Sequence, residues 1–232
     1  MLQLRKSEQR GQGHYGWLHA RYTFSFAQYY DPEFVGFRDL LVINQDTIAP
    51  GRGFDTHSHR DMEIITYVID GALSHRDSMG NEDVIHSNEI QRMTAGSGIS
   101  HSEFNHSKEE PVNLLQIWIR PKQLGLAPSY QQLNYQDGES QSALQLLAGP
   151  EHGEGVALVH QDCFIYLARS KKNQSITLPL ASIRYGWIQM IKGEIHVQDL
   201  TLKEGDGLAI SQLQDVEVRP FKDSIFLFFN LA

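Results

Sequence analysis

Short apolar runs follow one another along the chain, separated by turn signals every ten residues or so, a rhythm that predicts a β-sandwich or barrel. The clearest strand is Ile64-Ile65-Thr66-Tyr67-Val68-Ile69. Asp70-Gly71 follows, a pair suited to the positive φ angles of a type I′ hairpin turn, and a second strand begins at Ala72. Leu114 to Ile119 reads as a further strand, closed by Arg120-Pro121. The same order returns downstream: Trp187 to Ile191, the turn Lys192-Gly193, then Glu194 to Val197. A polar turn and a short apolar strand follow each module, Asn88-Glu89-Ile90 in one half and Gly205 to Ile210 in the other. Ser224 to Phe229 reads as a strand buried on both faces.

Two copies of one module predict a duplicated β-barrel, although such hairpins also occur in undivided β proteins. The polar stretch from about Pro121 to Gly155, where periodicity is weak, is the expected connector. A boundary near residues 125 and 126 gives an N-terminal domain 1–125 and a C-terminal domain 126–232.

Charge and composition remove several function classes. A net charge of -8 with no long basic run argues against direct binding of nucleic acid, whose phosphates need neutralising. No apolar run approaches membrane-spanning length, and the opening residues turn polar before a signal core develops, so the expectation is a cytoplasmic protein with no membrane partner. Cys163 is the one cysteine, which excludes an intrachain disulfide and a thiolate zinc cluster.

Histidine carries the candidate chemistry. Eight of the eleven, His14, His19, His75, His86, His106, His152, His160 and His196, lie singly and read as surface or core-edge residues. His57 and His59 are different, because residues i and i+2 of a strand share a face and both imidazoles can converge on one point. His101 and Glu103 have the same spacing. Three imidazoles and one carboxylate suit divalent iron, manganese, cobalt, nickel, copper or zinc, and leave positions open for water, dioxygen or substrate.

Gly51 before His57 and Glu63 after His59, then Gly96-Ser97-Gly98 before His101 and Asn105 after it, resemble the two cupin motifs. Gly96 stands where cupins have Pro, Ile90 where they have the first Gly, and one extra residue separates Glu63 from Gly71. More narrowly, the chain resembles the pirin family. The resemblance rests on Tyr22 to Pro32, Gly36-Phe37, His57 to Glu63, Asp77 to Asn81, Thr94 to Glu103 and Gln116-Ile117-Trp118. It implies an all-β bicupin, two jelly-roll-like β-barrel domains facing each other. It also implies one divalent metal ion per chain, held in the N-terminal domain by His57, His59, His101 and Glu103, with iron(II) the expected ion. Glu63, a ligand in ordinary cupins, is the rival to Glu103, but four residues along a strand is roughly 13 Å and a bend would be needed. Tyr22 departs from the His common in the family, which bears on the pocket rather than the metal. Pro179 to Gly186, before the second module, holds no histidine, so the C-terminal domain is expected to bind no metal and to act as a packing partner.

Bacterial pirin-like proteins resemble quercetin 2,3-dioxygenases. That implies a metal-dependent ring-cleaving oxidoreductase acting on a flavonol-like phenol and dioxygen, with Glu103 accepting the 3-hydroxyl proton and ring opening releasing carbon monoxide and a phenolic ester. The alternative in another class is a metal-binding regulatory protein with a transcription-related protein partner and no turnover. A third is a cupin in which the metal only positions a ligand.

Overall fold

A computed structural model describes residues 1–135 and 143–232 of the chain. Among them the one helical element is a single 3-10 turn, Ser7–Gln9, and everything else regular is strand. No helix is long and apolar enough to cross a membrane among these residues.

The chain folds as two compact units. One takes in Gly11–Asp137 and Gly153–Gln161, the other Met1–Arg10, Gly138–His152 and Asp162–Ala232, each as far as it is described. This differs from a cut at 125 and 126 at both ends. Ser129–Asn134 forms a strand on Glu89–Thr94 and so completes the first unit. Leu2–Arg5, at the start of the chain, pairs with Gly207–Ser211 and completes the second. An uncovered sheet edge presents unpaired backbone groups, and each unit hides one with a strand from across the expected boundary. Residues 136–142 of the expected connector lie outside the described residues. The connector is otherwise more regular than its weak periodicity predicts, with a further strand at Leu144–Gly149.

In the first unit seven antiparallel strands form one sheet. Their spatial order is Ser129–Asn134, Glu89–Thr94, Glu63–Asp70, Val112–Ile119, Leu40–Ile48, Leu18–Tyr22 and Gly11–His14. A second sheet has four: Gly53–His59, Ile99–Asn105, Ala72–Asp77 and Glu82–His86. Alternation sets the faces. In Leu18–Tyr22, Leu18, Ala20 and Tyr22 are buried while His19 and Arg21 are exposed, as strand parity requires. Leu18, Ile48, Val68, Leu73, Ile85, Val112 and Leu114 form one apolar cluster of this unit. The second unit is built alike around a larger cluster that includes Ile188, Leu208, Phe226 and Phe228. Its strand Ser224–Leu231 is buried along nearly its whole length, in line with its unbroken apolar run.

Asp70-Gly71 turns out not to be a hairpin turn. The strands on either side lie in different sheets, and only Gly71 of the pair has a positive φ, +86°. A Cβ at Gly71 would stand 3.1 Å from the Pro111 carbonyl oxygen, so a side chain there would crowd the neighbouring strand's entry. Glycine therefore lets the chain step from one sheet to the other. Gly193 does the same in the second unit, with φ +90° and the Asp223 carbonyl oxygen where a Cβ would sit.

Candidate metal centre

The strand Gly53–His59 lies antiparallel beside Ile99–Asn105, and the register sets His57 directly opposite His101 and His59 opposite Ile99. The shared face of His57 and His59 therefore meets His101. The ring centroids are 4.8 Å apart for His57 and His59, 4.5 Å for His57 and His101, and 5.0 Å for His59 and His101. A register shift between His101 and Glu103 bends the pairing at the site, and Glu103 lies across from His75 on the strand's other side. Potential ligand atoms fall into two triplets that share His101: His57, His59, His101 and His75, His101, Glu103, each with its atoms within 4.8 Å of one another.

Hydrogen bonding orients these groups. His57 Nδ1 is 2.8 Å from the Asp55 carbonyl oxygen, which only accepts, so Nδ1 is the donor and Nε2 is the nitrogen left for a ligand bond. Metal-binding histidines are commonly oriented in this way. Glu103 is 2 % exposed, yet its carboxylate accepts from Gln116 Nε2 at 3.1 and 3.3 Å and from Thr66 Oγ1 at 3.4 Å. His101 is 1 % exposed, and neither of its ring nitrogens has a hydrogen-bond partner. Native proteins rarely leave such atoms orphaned, and a cation bound by one of these nitrogens satisfies it. Burial, with His57 and His75 adding to it, lowers the His101 pKa to about 3. Burial, then His101 and His57, lowers that of His59 to about 4. Neutral imidazoles at ordinary pH are the form that binds a metal. The donor set thus fits a divalent ion.

Glu63 has other partners. It is fully buried, and its carboxylate accepts from Thr94 at 3.0 Å and meets His160 Nδ1 at 3.0 Å. Burial raises its pKa, and His160, Thr94 and Arg92 act against that rise. Two histidines read as isolated residues therefore have defined places. His160 caps Glu63, while His75 is buried 5.3 Å from the His101 ring with its Nε2 3.5 Å from Asp77. Leu73 carried a signal for the latter: strand parity puts His75 and Asp77 on the same face as that apolar residue, and the three are buried together.

The imidazoles line one wall of a cavity of about 680 Å³, within the range of small-molecule sites. Its aromatic lining includes Trp118, which packs edge-on against His59 at 5.0 Å and against Phe26 at 5.5 Å, and Trp17, edge-on to Phe54 at 5.2 Å.

Known proteins match the chain along its length. Residues 3–119 match the family described as Pirin, and residues 146–231 match the quercetinase C-terminal cupin domain. A protein of Escherichia coli named quercetin 2,3-dioxygenase is 42% identical over 231 residues, covering 100% of this chain and 99% of that protein. A pirin-like protein of Caulobacter vibrioides is 35% identical over 233 residues, with 100% of both chains covered. Among solved structures, the bacterial pirin YhhW of Escherichia coli in complex with nickel(II) superposes with a TM-score of 0.95 at 42% identity, over 100% of this chain and 99% of that one. The two cupin domains and the family match over the N-terminal half lead to one conclusion: this chain belongs to the pirin family.

Proposed function

We propose that this chain is a metal-dependent dioxygenase that opens the ring of a flavonol-like phenol, with His57, His59, His101 and Glu103 as the ligands of one divalent ion. The observation that carries the reading is the convergence of His57, His59 and His101, with Glu103 grouped with His101 and His75, beside an aromatic-lined cavity. The names of the relatives support the reaction class, and the nickel complex of the related pirin supports a divalent ion. Iron(II) is our choice of ion, although the donor set accepts several.

When bound, the ion supplies Lewis acidity that makes a coordinated hydroxyl a stronger acid, and an open position for dioxygen. The chain's own residues do the remainder. Trp118, Phe26 and Phe54 give flat apolar walls that receive an aromatic ring and exclude water from it. Glu103 accepts the 3-hydroxyl proton as general base, and Gln116 and Thr66 hold its carboxylate in position to do so. Because both partners donate, they fix the orientation of the Glu103 carboxylate.

The test is elemental analysis of the purified protein followed by oxygen uptake with quercetin under each reconstituted ion. One equivalent of metal with metal-dependent uptake is the expected result. A stoichiometric metal without uptake for any ion overturns the dioxygenase reading in favour of a protein-binding role.

A further inference from the structure

Two histidines that lie apart in the sequence meet across a hairpin at the edge of the large sheet. Gly11–His14 pairs with Leu18–Tyr22, and the register sets His14 opposite His19 and Gln12 opposite Arg21. A tight turn holds that register. The Tyr15 amide donates to the Leu18 carbonyl oxygen at 3.0 Å, and Gly16 takes a φ of +79° that a side chain would resist. Both imidazoles are exposed, with ring centroids 4.4 Å apart and planes at 80°.

His14 Nδ1 stands 3.4 Å from His19 Nε2. That is longer than the roughly 2.7–3.2 Å usual for a hydrogen bond from N–H. Two nitrogens held by one tetrahedral zinc ion, each at about 2.0–2.1 Å, lie about 3.3–3.4 Å apart. Neighbouring nitrogens of a square-planar complex at that bond length are only about 2.9 Å apart. The spacing therefore suits a tetrahedral ion. Gln12 prepares one ligand: its Oε1 is 3.2 Å from His14 Nε2 and only accepts, so Nδ1 is the nitrogen left for a ligand bond.

The strand that carries His14 has little else to hold it. It is the last strand of its sheet, and its inward positions are Gly11 and Gly13. A Cβ at Gly11 would strike the Tyr29 ring, and one at Gly13 the Tyr22 hydroxyl, so neither position can bear a side chain. The strand is thus anchored by its backbone pairing and by its outward side chains. Its neighbour supplies Leu18, Ala20 and Tyr22 to the cavity lining. An ion shared by His14 and His19 would fasten the two strands from the solvent side.

We propose that His14 and His19 form a second divalent-cation site, of zinc type, that staples this hairpin, with Gln12 orienting His14. The exposed His19 ring offers Nε2 with its proton on Nδ1, and water fills the remaining positions. Among the described residues no third metal-binding side chain joins the pair, and Arg21 adds a positive charge on the same face. The ion is therefore held more weakly than one at His57, His59 and His101, and it leaves on dialysis.

The test counts total metal per chain by equilibrium dialysis of the metal-reconstituted protein against increasing zinc. Wild type should rise from one equivalent to two, while His14→Ala and His19→Ala stay at one. Both side chains are exposed, so these variants keep the fold. Gln12→Leu should still reach two but need about tenfold more zinc, the scale of losing an outer partner. Unchanged affinity overturns the role given to Gln12. Amide hydrogen exchange across residues 11–22 is the second readout, and saturating zinc should slow it in wild type but not in His14→Ala. A second equivalent that persists in either histidine variant, or none in wild type, overturns the site. Unchanged exchange with the second ion bound overturns the staple. His101→Ala should keep the weaker equivalent, so the two centres stand or fall separately.

Discussion

The two units share a strand plan and fill it with opposite chemistry. Across the large sheet of the first unit runs Tyr22, Asn44, Gln116, Thr66, Gln91 and Gln132. The equivalent row of the second is Leu146, Tyr166, Phe228, Ile188, Leu208 and Leu4. In the smaller sheets His57 faces His101, whereas Ile176 faces Val218 and Leu178 faces Val216. One interior thus keeps a cavity with polar groups turned into it, and the other closes on an apolar cluster. The first arrangement forgoes the stabilisation that burial of apolar surface gives, on the order of 25 cal/mol per Å². What it gains is a preorganised set of candidate ligands and hydrogen-bonding groups. Proteins with two copies of a fold have room for such a division, because one copy can be optimised for stability while the other holds a strained or under-packed site.

The strongest way to break this contrast is to remove the imidazole common to both candidate ligand triplets. His101→Ala should lower metal affinity by more than about 100-fold, beyond the 10–100-fold typical of losing an outer partner. Metal content after dialysis against a weak chelator reads this out, and stoichiometric metal would remove His101 from the set. Next in size is Ile188→Asn, which puts an amide where the first unit has Thr66 but without partners. It should cost about 3 kcal/mol in denaturant unfolding, by lost apolar burial and an unsatisfied polar group. A neutral effect would mean that the second interior is as tolerant of polar groups as the first. Gln116→Leu makes the converse change, and should lower turnover about tenfold by freeing Glu103, with a smaller effect on metal content. A further test is acid. His101 and His59 have lowered pKa values in the metal-free fold, about 3 and about 4, so between those values and about 6.5 the unfolded chain binds protons that the native state does not. Stability of the metal-free protein should therefore fall as pH drops below about 6.5, by up to about 1.4 kcal/mol per pH unit for His101 alone. A melting temperature flat from pH 7 to 5 would contradict the burial argument.

Much of this was legible in the sequence, for reasons that can be named. The His-x-His and His-x-Glu spacings signal convergence because strand parity is strict, and the structure brings the three imidazoles together. Duplication was legible because the two modules repeat the same apolar runs. The polar row was not. Glu89–Thr94 has four polar residues in six, and nothing local says that all six are buried. Polar side chains in a strand ordinarily mark a solvent face, and only the opposing sheet turns that face into a cavity wall. Gly71 was legible as a turn but not as a change of sheet, because a two-residue loop looks alike in both settings until the partner strands are known. The edge strands were hidden for the same reason, since Leu2–Arg5 finds its partner in residues remote along the chain.

That last pairing bears on how the protein is made. Leu2–Arg5 leaves the ribosome about 200 residues ahead of its partner, Gly207–Ser211. At roughly 5–20 residues per second, about 10–40 s separate the two, long enough for the first unit to fold while this strand waits. The second unit therefore closes by a loop of about 200 residues, an event that is slow by its contact order and must wait until Gly207–Ser211 has been made. A fusion placed before Met1 would act on the second unit, and any protection the nascent strand needs must last until Gly207–Ser211 is made.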